Sequence, residues 1–306
     1  MKKYTVIQFF TMIINLFFIF TFIYFALKVA YFEKYTHLPF NEYYRIIYVS
    51  YKGYLTEIFK NGNFGMYDEE LSVIDVLGDR IPITLKMNML AFAIYLPVGI
   101  ILGIFSAVYQ NSWFDRIVST VSMMLGSVPI FIMMFLLIMY VGFFWEIVSW
   151  KYIEAEGFKN YLIPTIALII PPIATFTRVI RGEIIESMSS DYVLLARTKG
   201  LKRRQAIAKH TIRNALIPLM PEIPNAFLYA LTGSFFVEII YRVPGVATWM
   251  YDNLIKLSPI GTNYISINVP VLMAISIFYS LMAFAIVFVS DVFMKFLDPR
   301  IGNMKK

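Results

Sequence analysis

Few side chains in this sequence are equipped for chemistry. It has no cysteine, and its two histidines, His37 and His210, lie far apart. Thiolate nucleophiles, disulfides and Cys/His metal sites are therefore not expected. No Gly-x-x-x-x-Gly-Lys-Ser/Thr run is present, so the chain has no phosphate-cradling loop of that type. No paired His, Asp or Glu ligands fall at suitable spacing inside its apolar stretches, which argues against an intramembrane enzyme. What remains is a set of three acids in apolar surroundings, Glu222, Glu238 and Asp291, and one strongly basic segment, 181–213. Charge at the centre of a bilayer is costly and often functional. The expected helix ends place Glu222 and Asp291 near one interface and Glu238 near the other, where the cost is modest.

These residues must be held by a membrane scaffold. Of 306 residues 59% are hydrophobic and 15% charged, with a mean hydropathy of +0.67. A soluble domain averages about 25% charged residues, and one soluble core could not hide so much apolar surface. Charge-free stretches of 24, 28 and 29 residues separate Lys3 from Lys28, Lys86 from Asp115 and Arg116 from Glu146. Shorter or interrupted apolar runs follow, and about 20 apolar residues suffice to span. The expectation is an all-α polytopic membrane protein with six spans, approximately 6–28, 87–109, 117–143, 161–179, 216–240 and 269–293. The first is too long for a signal-peptide core and lacks a small-residue cleavage site, so it reads as a retained helix.

Orientation follows from Lys and Arg in the connections. With both termini cytoplasmic, inner segments carry fifteen and outer segments nine. Segment 181–213 holds eight bases and three acids, so five units of the net +7 sit on one connection between two spans. That position excludes a nucleic-acid face. The chain then divides into a transmembrane helix over 1–30, an extracellular segment over 31–85, and a five-helix core over 86–306 whose cytoplasmic loop occupies 181–215. Within 31–85, YYRIIYVSYKGYLTEIF is aromatic enough to lie on the membrane or pack on the bundle, and NGNFG reads as turns. Pro82 is suited to open the second spanning helix. Pro97, Pro129, Pro171, Pro172, Pro221 and Pro224 can kink helices and free carbonyls. Trp145, Trp150 and Trp249 cluster with tyrosines near span ends as interface anchors.

The basic loop has its own local logic. Ser189, Ser190 and Asp191 offer N-cap side chains for a helix from about Tyr192 to Lys199. Gly200 supplies the positive φ that ends it. Tyr192, Leu195 and Ala196 fall at i, i+3 and i+4 and make one small apolar face. A second helix, about 202–215, would lead back to the membrane before Pro218.

This loop, DYVLLARTKGL followed by KHTIRNALIP, resembles the coupling loop in permease subunits of binding-protein-dependent ABC importers, most closely the peptide/nickel branch. The matching positions are Asp191, Tyr192, Ala196, Arg197, Lys199, Gly200 and Leu201, then His210, Arg213, Asn214, Ala215, Leu216 and Pro218. The broader family's Glu-Ala-Ala is replaced by Leu194, Leu195 and Ala196, so only the second alanine survives. NGNFG, DRIPITL, TFTRVIRGEIIE, GSFFVEIIYRVPG and LDPRIG extend the likeness over nearly the whole chain, in the order of the first of two permeases.

The resemblance implies a type I importer permease fold in the bacterial cytoplasmic membrane. It implies a pore built with a second homologous permease and two cytoplasmic ATPase subunits that bind ATP and Mg. An extracellular or periplasmic binding protein would deliver the substrate. No cofactor, metal site or catalytic residue is expected in this chain. The implied ATPase-coupling residues are Asp191, Tyr192, Leu195, Ala196, Arg197, Lys199, Gly200 and Leu201. Substrate-binding residues are not legible. The expected cargo is a peptide, with nickel or a metal–chelator complex as the alternative. A proton-coupled secondary transporter is the alternative of another class, and it would leave the loop motif unexplained.

Overall fold

The computed structural model describes residues 2–35, 39–66, 70–202, 205, 207, 211–254 and 268–297. His37, His210 and the LDPRIG motif from residue 298 onward lie outside them. The chain divides into two units, residues 1–84 with 244–288 and residues 85–243 with 289–306.

The first unit contains α1 (Lys2–Tyr35), α2 (Phe40–Asn61), the start of α3 (Val73–Val108), α9 (Val246–Leu254) and most of α10 (Val269–Leu297). Its core is a ladder of rings. Tyr43, Ile47 and Tyr51 recur every four residues along α2 and bury with Tyr24 of α1 and with Val269 and Met273 of α10. Tyr24 and Tyr51 stand 5.1 Å apart between ring centroids. Their hydroxyl-bearing neighbours are satisfied internally: the Tyr43 hydroxyl donates to the Lys28 carbonyl at 2.7 Å, and Tyr54 to the Phe64 carbonyl at 3.0 Å. The aromatic part of segment 31–85 is thus packed on other helices of its unit. Helix α3 starts at Val73, nine residues before Pro82, because Ser72 accepts the Asp75 amide at 3.2 Å and so caps it. Pro82 sits inside the helix and does not open it.

The second unit is organised on α6 (Leu162–Ser187), which contacts α4 (Trp113–Gly126), α5 (Ile130–Leu137) and α8 (Glu222–Tyr241). Helix α5 continues as a π-helical stretch, Ile138–Phe144, and a 3-10 stretch, Glu154–Tyr161, leads into α6. The part of α3 beyond residue 84 approaches α6 through two glycines one turn apart. A Cβ on Gly99 would come within 2.7 Å of the Phe176 Cβ, and one on Gly103 within 2.8 Å of the Thr177 carbonyl oxygen. In lipid, small residues at this spacing let backbones meet closely and gain dispersion contacts.

The expected third span, 117–143, is not one helix. α4 and the α5 stretch meet at a bend of 101°. The cause is Pro129, which lacks an N–H and disfavours helical backbone at Val128 before it. Among the described residues five helices are long and apolar enough to cross a membrane, or six when the bent pair counts as one span. The other prolines behave differently. Pro171 and Pro172 are absorbed within α6. Pro221 and Pro224 lie at the start of α8, where missing donors cost little. The expected span 216–240 therefore becomes a turn over 216–221 and a helix that begins at Glu222.

Candidate functional site

The basic loop leaves the end of α6. The Ser189 hydroxyl donates to the Glu186 carbonyl at 2.6 Å, and the Ser190 hydroxyl to the Ser187 carbonyl at 2.5 Å. Both therefore serve the open carbonyl end of α6, where an N-capping role was expected. Helix α7 (Asp191–Thr198) follows at once. Gly200 has φ +93°, and the Leu201 amide reaches back to the Ala196 carbonyl at 3.4 Å. That six-to-one bond over a left-handed residue is the Schellman ending, which a side chain with a Cβ adopts at a cost. The Lys202 amide then donates to the Gln205 side chain at 3.0 Å, the backward contact of a capping box. Of the expected 202–215 helix, the described α-helical run is Ile212–Ala215. Thr211 anchors the return on α6's end, its hydroxyl 3.7 Å from the Met188 sulfur.

The faces of α7 are sorted differently from the expected Tyr192–Leu195–Ala196 stripe. Val193 is 0% and Ala196 8% exposed, so these two hold the helix down. Tyr192, Leu194 and Leu195 are 43%, 45% and 59% exposed. Asp191, Thr198, Lys199 and Gly200 are exposed as well, and Leu201 is half-buried. Ala196 is thus divided from Tyr192 and Leu195, which point outward with Leu194. Of Arg197 only the backbone is described. The result is an eight-residue helix that presents three large apolar side chains among polar and charged neighbours.

Behind the loop stands a group that the sequence reading missed. Arg181 of α6 grips Asp115 of α4 with two parallel bonds, Nε to Oδ1 at 2.6 Å and Nη2 to Oδ2 at 2.9 Å. Asp115 is buried, and it also accepts from the Ser106 hydroxyl and the Asn111 amide. The carboxylate oxygens are thereby filled by donors from α3's last turn, the α3–α4 turn and α6. A buried pair of this kind is favourable only when its hydrogen bonds are complete. Arg181 lies six residues before the end of α6 and ten before α7. The available signal was Ser112-x-x-Asp115, a helix-start pattern in which Ser112 accepts the Asp115 amide at 3.2 Å. The pairing with a residue 66 positions later is set by tertiary structure alone.

The three intramembrane acids occupy different settings. Glu238 is fully buried, in the last turn of α8. Asp291 is half-buried on α10. Glu222 is the first residue of α8 and lines a cavity of about 270 Å³ with Gly126, Pro171, Pro172, Thr175, Asn225, Ala226 and Tyr229.

Comparison with known proteins agrees with this architecture. The family model described as "Binding-protein-dependent transport system inner membrane component" matches residues 99–303. The dipeptide transport system permease protein DppB of Lactococcus lactis subsp. cremoris (strain MG1363) is 33% identical over 246 residues, covering 78% of this chain and 76% of that protein. DppB of Bacillus subtilis (strain 168) is 30% identical over 238 residues, covering 77% and 72%. The oligopeptide transport system permease protein OppB of Escherichia coli (strain K12) is 30% identical over 202 residues, covering 65% and 66%. Among solved structures, a crystal structure described as an amino acid ABC transporter with histidines superposes with TM-score 0.54 at 18% identity, covering 72% of this chain and 94% of that one. At that identity the likeness speaks for the fold.

Proposed function

This chain belongs to the family of binding-protein-dependent transport system inner membrane components, and we propose that with a second homologous permease it forms the path of an ATP-driven peptide importer. It is a permease subunit of the inner membrane. The dipeptide and oligopeptide permeases among its relatives support peptide as the cargo. Two cytoplasmic ATPase subunits hold ATP and Mg, an external binding protein delivers the peptide, and both termini of this chain face the cytoplasm. The charge bias of the connections supports that orientation.

The observation that carries the coupling role is the outer face of α7. Burying three large apolar side chains against a partner stabilises docking by roughly 1.5–3 kcal/mol each at full burial. Val193 and Ala196 fix the helix to its own chain while Tyr192, Leu194 and Leu195 are exposed on the side offered to the ATPase. Closure of the ATPase pair on ATP pushes α7, and the short link from Ser187 to Asp191 passes the movement to α6. Arg181 and Asp115 then carry α4 with α6, so the helices move together rather than slide. The path through the membrane alternates between inward-facing and outward-facing states.

The test is ATP-driven peptide uptake by the complete importer in proteoliposomes. Gly200→Val is expected to abolish uptake while membrane insertion stays intact, because a β-branched residue resists the left-handed turn. Normal uptake with normal coupling of ATP hydrolysis in that variant would remove the assignment. Cysteine at Leu195 is expected to cross-link to the ATPase subunit.

A further inference from the structure

Helix α8 exposes polar side chains along its first half. Ala226, Phe227, Ala230, Leu231 and Gly233 are buried in this half, and Ser234, Val237, Glu238 and Tyr241 in the next. Asn225, Tyr229 and Thr232 are exposed, at spacings of four and three that continue from Glu222, and the stripe ends on the exposed Phe236. Its polar part is the reverse of what lipid contact requires, since each polar group left facing hydrocarbon is costly. The stripe opens on the cavity of about 270 Å³ between α8, α6 and Gly126. Thr175 of the cavity is the fourteenth of 26 residues in α6, a helix roughly 39 Å long against an apolar core of about 30 Å. The cavity therefore lies along the middle of α6, one turn before Arg178, where the charge-free run of that helix ends. Glu222, the first residue of α8, brings a carboxylate to this cavity, and the Arg178 guanidinium lies 3.5 Å from where a Cβ on Gly126 would stand. An acid there that faces a cavity marks a pathway for a polar or cationic species.

We propose that Glu222, Asn225, Tyr229 and Thr175 form a water-filled contact site for the cationic terminal ammonium of a peptide in transit. The site rests on the peptide-importer reading above. Glu222 supplies the charge, and the Asn225 amide and the Tyr229 and Thr175 hydroxyls replace part of the ammonium's hydration. Acceptors on one wall suit a transient contact, because a closed cage would hold the peptide and stop its release. A helix N-terminus alone would favour an acid at position 222, but it does not account for three further polar side chains along the same face.

The experiment uses single cysteines in the assembled importer, with modification read as a mass shift of this chain. The chain has no cysteine of its own, so the shift reports one thiol. Asn225→Cys and Tyr229→Cys are each exposed to a cationic and to an anionic methanethiosulfonate. The cationic reagent is expected to react about tenfold faster, and adding Glu222→Gln is expected to erase that preference. Dialanine with a free amino terminus should slow the reaction, and N-acetyl-dialanine should not. Phe18→Cys on the exposed face of α1 is expected to stay unmodified. If the parent importer shows ATP-driven uptake yet the two α8 cysteines are inert, or react equally with both reagents, the contact site is overturned. If the charge preference is present but uptake does not depend on ATP, the importer reading fails instead.

Discussion

Helices α7 and α8 each expose the chemistry that their surroundings should forbid. α7 sits in the most basic connection of the chain and shows apolar side chains, Tyr192, Leu194 and Leu195. α8 runs inside an apolar span and shows polar ones, Asn225, Tyr229 and Thr232. In both cases most of the buried residues are apolar, because each helix must still pack on its own chain. The exposed face is then an imprint of whatever covers it in the working assembly: a protein surface for α7, and water with a polar cargo for α8. Helix α6 connects the two, with α7 following its end and α8 packed on its flank.

The comparison breaks most severely where α6 is anchored. Asp115→Ala leaves Arg181 half-buried without its carboxylate, and loss of one partner of a buried pair costs about 3–5 kcal/mol. A large fall in the thermal midpoint of the purified importer is expected, with uptake lost. The double variant Asp115→Asn with Arg181→Gln, which removes both charges, should recover most of the midpoint but not the uptake. Full uptake in the double variant would show that the pair is only structural.

Next in size is the outer face of α7. Leu195→Asp is expected to lower ATP-driven uptake about a hundredfold, the scale of a lost interface hot spot, while Leu195→Met stays near the parent. A wild-type uptake rate in Leu195→Asp would mean that this face meets solvent. The face of α8 gives a smaller effect. Thr232→Leu adds apolar surface, so lipid contact predicts an unchanged or raised uptake rate. A wet path predicts a loss of roughly tenfold, near 1.4 kcal/mol, and uptake assays separate the two. The smallest change belongs to the first unit. Tyr54→Phe deletes one hydrogen bond to the Phe64 carbonyl and should cost about 1 kcal/mol in the midpoint, with uptake per folded complex unchanged.

Much of the fold was legible because membrane spans are written in composition. Long charge-free runs located five spanning helices, and the alternation of bases across the connections suggested their orientation. Local backbone chemistry was also readable: Gly200 ends α7 through the one dihedral region that favours it. Other local readings failed for identifiable reasons. Pro82 was expected to open a helix that Ser72 caps ten residues earlier. The prolines at 221 and 224 read as kinks but mark a helix start. Ser189 and Ser190 were expected to cap α7, yet their hydroxyls turn back to α6, and a hydroxyl can serve either neighbour at a helix–helix junction.

The sequence by itself determined that the chain lives in lipid, that its positive charge gathers on one connection, and that this connection contains a short helix stopped by a glycine. These features depend on residues near in the chain or on composition summed along it. Tertiary structure alone decided that Asp115 meets Arg181 across 66 positions and that Gly99 and Gly103 admit α6 to close contact. It also decided which faces of α7 and α8 remain uncovered. A side chain's exposure depends on what the rest of the fold places beside it, and periodicity within one helix carries no record of that.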